Sequence, residues 1–76
     1  MKVHYRLRAD IITVDLTQAT TFGIDVFAED NCLIMSVIDV SLNCKAVTQL
    51  IENLNKYKVE LVHLMDVVYD FYYDNC

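Results

Sequence analysis

The stretch "CLIMSVIDVSLNCKAVTQLIENLN" (Cys32–Asn55) decides the fold, because its apolar period changes partway along. In the first half Leu33, Met35 and Val37 alternate with Ile34, Ile38 and Val40, following the period of two that a strand imposes. A run apolar on both sides predicts a strand at the sheet's centre, or one under cover on both faces. From Asn43 the period lengthens. Val47, Leu50, Ile51 and Leu54 stand at i, i+3, i+4 and i+7, one helical stripe. Ser41 or Asn43 would cap its start, and Asn55 tolerates the left-handed conformation that ends helices.

Working back toward the start, "TFGIDVFAE" (21–29) reads as a strand with Phe22, Ile24, Val26 and Ala28 on one side and Asp25 and Glu29 on the other. Gly23 inside it points to a bulge or a close backbone approach. Asp30 and Asn31 supply hairpin-turn chemistry. Before it, Val3, Tyr5, Leu7 and Ala9 alternate with Lys2, His4, Arg6 and Arg8. Past Asp10 the phase flips to Ile12, Val14 and Leu16, which predicts a bulge or a bend in the first strand. "TQAT" (17–20) reads as the turn that follows.

Beyond Asn55, "KYK" makes a short connection to a second helix beginning near Val59 or Glu60. Leu61, Leu64, Met65, Val68, Phe71 and Tyr72 form its expected buried stripe, widened by Val62, Val67 and Tyr69. The whole predicts β-β-β-α-α: a three-stranded antiparallel meander with a helical hairpin on one face, a single α+β domain over 1–76. Two helices cover one sheet face. The other would still show Ile11, Thr13, Phe27 and one side of the third strand.

Composition sharpens that point. Of 76 residues, 55% are hydrophobic and the mean hydropathy is +0.29, more apolar side chain than so small an interior can hold. The surplus predicts a homodimer through the open face or an edge strand, with Phe27, Ile34 and Ile38 as contact candidates. Tyr69 and Tyr73 join them, since tyrosine pairs a large apolar ring with a polar tip. The net charge of −5 disfavours nucleic-acid binding. Cys32, Cys44 and Cys76 form neither a disulfide framework nor a zinc motif. No apolar run reaches membrane-spanning length, and a cytoplasmic protein with reduced thiols is expected.

Candidate chemistry is sparse. On a helix at about 100° per residue, His63, Asp66, Asp70 and Asp74 share a sector of about 80°. The like charges at i, i+4 and the acids at a helix C-terminus mildly oppose the helix. The stripe reads as a solvated face, as a docking ridge for a basic partner such as the Lys2/Arg6/Arg8 strand, or as a ligand or divalent-metal site built on His63, Asp66 and Asp70. Phosphate-cradling loops and the common nucleophile motifs are absent. No catalysis and no cofactor are expected.

The order "TFGIDV", "VIDVS", "LIENLN", "HLMDVVYDFY" resembles a family of short, uncharacterised bacterial proteins classed as a domain of unknown function. The resemblance runs from Tyr5 to Tyr72. It marks Gly23, Asp39, Ser41, Asn55, His63, Asp66 and Asp70 as parts of a pattern, with Phe22 where tyrosine is more usual. It implies no activity, cofactor or catalytic residue.

Overall fold

Asp15 and Leu16 both take the left-handed backbone (φ 49° and 67°) and turn the chain between β1 (Val3–Val14) and β2 (Thr17–Ala28) in the computed structural model, which describes residues 2–74. A two-residue turn with both φ positive matches the twist of its flanking strands. The reversal therefore falls two residues before the expected "TQAT", which instead opens β2. Leucine is an uncommon occupant of that conformation, so Leu16 carried no turn signal.

The β1–β2 register is continuous, from Val3 opposite Ala28 to Val14 opposite Thr17. The bulge expected past Asp10 is absent. The phase flip has another origin: the strands outrun the helical layer. Tyr5, Ile24 and Val26 are buried, while Leu7 is 41% and Ile11 70% exposed on the same face. Where neither face is covered, alternation no longer reports an interior.

β3 (Leu33–Ser41) pairs antiparallel with β2, giving the order β1-β2-β3. β3 is thus an edge strand, not the covered central one that its two apolar faces suggest. Short turns make the middle strand of a meander the central one. The double apolar pattern comes from two register shifts in β3. Ile24 faces Val37 and Phe22 faces Ser41, so β3 spends two extra residues there, with Asp39 at φ 54°. The shift lets Val40 turn inward as Val37 does, while Leu33 (55%) and Ile38 (62%) remain exposed. Gly23 sits beneath this bulge. A Cβ on it would fall on the Val37 carbonyl oxygen and lie 3.2 Å from Ile38 Cα, the close approach its position predicted.

The β2–β3 turn uses Asn31 at φ 66°, and Asp30 Oδ1 accepts from the Cys32 N–H at 3.1 Å. That bond holds the Asp30 carboxyl below its ordinary pKa. α1 (Cys44–Lys56) is capped by Asn43, whose Oδ1 accepts from Ala46 N at 3.1 Å, and buries Val47, Leu50, Ile51 and Leu54 as predicted. The helix runs past Asn55, and the left-handed residue is Lys58 (φ 50°). A short 3₁₀ turn over Leu61–His63 leads into α2 (Leu64–Asp74). Leu64 and Val68 are buried, and Leu61, Val67, Phe71 and Tyr72 pack beside them. The expected stripe was too wide: Val62, Met65 and Tyr69 are exposed. Among the described residues no helix is long and apolar enough to cross a membrane.

Candidate functional site

Tyr5 links the helical layer to β1. Its side chain is buried in the core and its hydroxyl donates to the Val59 carbonyl at 2.6 Å, while burial raises the phenol's pKa. Its backbone is engaged too. Tyr5 N–H donates to Asn55 Oδ1 at 3.0 Å, and Asn55 Nδ2 donates to the Tyr5 carbonyl at 2.9 Å. The Asn55 amide thus stands where a neighbouring strand would. In an antiparallel pair, alternate residues point both backbone groups toward the partner strand or away from it. Since Tyr5 points away from β2, so do Leu7, Ala9, Ile11 and Thr13. These four, on the helix-side face but beyond the reach of the helices, form an open edge.

The opposite sheet face is polar and organised by Arg8. Its Nε and Nη2 bond both oxygens of Asp10 at 2.7 and 2.9 Å. Its Nη1 reaches Asp25 Oδ1 and Ser36 Oγ at 2.9 Å each, and the Ser36 hydroxyl donates to the same Asp25 oxygen at 2.6 Å. The hydrogen bonds to Asp10 and then Asp25 raise the guanidinium's pKa, and the Arg8 bond lowers that of Asp10. Beside this network Arg6 lies 5.2 Å from the Phe27 ring centroid, and His4 stacks on Phe27 at 5.5 Å. Phe27, a contact candidate, is therefore half-buried between its neighbours. Ile38 is exposed within the bulge of β3, and Ile34 sits exposed at its second irregularity.

The acidic stripe does not meet the basic strand. Arg6 and Arg8 lie on the sheet face away from the helices, with Arg8 occupied by Asp10 and Asp25. His63 Nδ1 and Asp66 Oδ2 are 3.9 Å apart and well exposed. Asp70 and Asp74 line an open groove between α2 and the Ala46–Asn53 side of α1. Among the described residues no group of three or more His, Cys, Asp or Glu is placed to hold a metal ion.

One quarter turn from the acids, the 3₁₀ turn and α2 together expose Val62, Met65, Tyr69 and Tyr73, an apolar stripe at i, i+3, i+7 and i+11. Tyr69 meets Tyr72 edge to face at 6.3 Å. Burial, then the charge of Asp39, raises the Tyr72 pKa. Asp39 itself accepts from the Thr21 hydroxyl at 2.6 Å, which satisfies a threonine buried in the sheet. Cys32 and Cys44 are exposed free thiols; Cys76 lies outside the described residues.

Sequence reasoning missed the Arg8 hub and the Asn55 bridge. Arg8 and Asp10 stand two apart in a strand, so their shared face was readable. The tie to Asp25 and Ser36 needed the register. Asn55 carried only the signal of a helix end.

A model of a family of unknown function (DUF6514) matches residues 1–74 of the chain. Comparison with curated proteins and with solved structures gives no match.

Proposed function

We propose that this chain, which belongs to the DUF6514 family of unknown function, is a protein–protein interaction module that associates with a second copy of itself and performs no catalysis. The observation that carries this reading is the overhang of the sheet beyond its helices. Leu7 and Ile11 are exposed on the face that elsewhere forms the core, so the apolar face continues past its own cover. Exposed apolar surface joined to a core marks an interaction site. The contact candidates Ile34, Ile38, Tyr69 and Tyr73 are exposed as well and supply further surface for a partner protein. The exposed thiols of Cys32 and Cys44 suit a reducing compartment such as the cytoplasm.

Size exclusion with light scattering at high micromolar concentration tests the reading. The expected mass is twice the 8.8 kDa of one chain. A single-chain mass throughout would overturn it.

A further inference from the structure

We infer that two copies of this chain join their β1 edges antiparallel about a two-fold axis through Ala9, making one continuous six-stranded sheet; this rests on the self-association proposed above and assigns its surface and register. The free edge sets the first condition. The odd-numbered residues of β1 turn both backbone groups outward, Leu7, Ala9, Ile11 and Thr13 beyond the Asn55 bridge among them, so the axis must pass through a residue and not between two. Asn55 sets the second. Its amide occupies Tyr5, so the new ladder must end short of that residue.

Charge chooses among the registers that remain. An axis through Ala9 puts Arg8 opposite the partner's Asp10, and Asp10 opposite the partner's Arg8. It also sets Leu7 against the partner's Ile11 on the helix side, and brings the small Ala9 against its own copy. Opposite charges directly across strands stabilise a pair and like charges destabilise it. Moving the axis to Asp10 sets aspartate against aspartate. Moving it to Arg8 sets arginine against arginine and drives Ile11 onto the occupied Tyr5. An axis through Ile11 places Arg8 and Asp10 against Val14 and Ile12. Across residues 7–11, where the ladder runs, only the Ala9 register matches charge with charge and apolar with apolar; past it Thr13 meets the partner's occupied Tyr5 and the ladder ends. The in-chain bond between Arg8 and Asp10 stays intact in it, because the two pairs close into one alternating cluster. The same axis brings each uncovered hairpin end beside the other copy's helical layer.

Two full-length variants, with Cys32, Cys44 and Cys76 replaced by serine, read the register directly. Arg8→Cys mixed with Asp10→Cys is expected to form a disulfide-linked dimer under mild oxidation, while each alone stays unlinked. Ala9→Pro removes one outward N–H without touching the β2 ladder, which an edge strand tolerates. It is expected to halve the mass seen by light scattering while keeping the native circular dichroism. A wild-type dimer with no mixed cross-link, or with Ala9→Pro folded and still dimeric, overturns the β1 register but leaves self-association standing. A monomeric wild-type protein overturns both.

Discussion

Asn55 and Tyr5, fifty positions apart, are joined by two hydrogen bonds in which a side-chain amide pairs with a strand backbone. An amide carries one acceptor and two donors, so a single asparagine meets both the N–H and the C=O of an edge residue. Asn55→Ala removes both bonds at once. Leaving such groups unmet costs about 1–3 kcal/mol, and urea unfolding should show a loss in that range. Asn55→Asp keeps the acceptor and sets a carboxylate against the Tyr5 carbonyl, so its loss should be no smaller.

Gly23→Ala tests the close approach of the β3 bulge. The added methyl meets the Val37 backbone, which cannot move aside as a side-chain end would. Overpacking of this kind costs about 1–3 kcal/mol. An unchanged urea midpoint would show that the bulge is not held over β2.

Tyr5 gives the protein an alkaline dependence. Burial raises its pKa above the ordinary value of 10.0. The folded state therefore holds the phenolic proton more tightly than the unfolded chain. That contribution is complete below the unfolded pKa and is lost as pH rises through the folded one. Tyr5→Phe should flatten the fall in stability above about pH 10. At neutral pH it should cost about 1 kcal/mol, through the Val59 carbonyl left without its donor.

Divalent cations should leave the protein unmoved. His63 and Asp66 are exposed and 3.9 Å apart. A ligand at a hundredfold excess over its Kd adds about 2.7 kcal/mol. Thermal midpoints in Mg²⁺, Mn²⁺ and Zn²⁺ should match the metal-free one, and a rise in any of them would restore the His63/Asp66/Asp70 stripe as a site.

The elements most readable in the residues were those where burial and period coincide. Val47, Leu50, Ile51 and Leu54 announced α1, and Gly23 announced a close approach, because packing leaves few alternatives there. The failures share a cause. β3 was misplaced because a bulge mixes two phases into one apolar run. The first strand gained a false bend because its end lies beyond any cover. The His63 stripe was legible as a stripe, but which sheet face carried Arg6 and Arg8 depended on the register. Asn55 was read locally, while its partner lies fifty residues away.

The irregularity of β3 also governs how far such a sheet can grow. A strand whose register shifts twice presents its backbone groups out of step, and a straight newcomer finds no continuous row to zip against. β1 presents an even one. With one competent border and one spoiled border, the β1 pairing proposed above would use up the even border of both chains and leave nothing for a third. The bulge that Gly23 makes room for is thus also a safeguard against fibres.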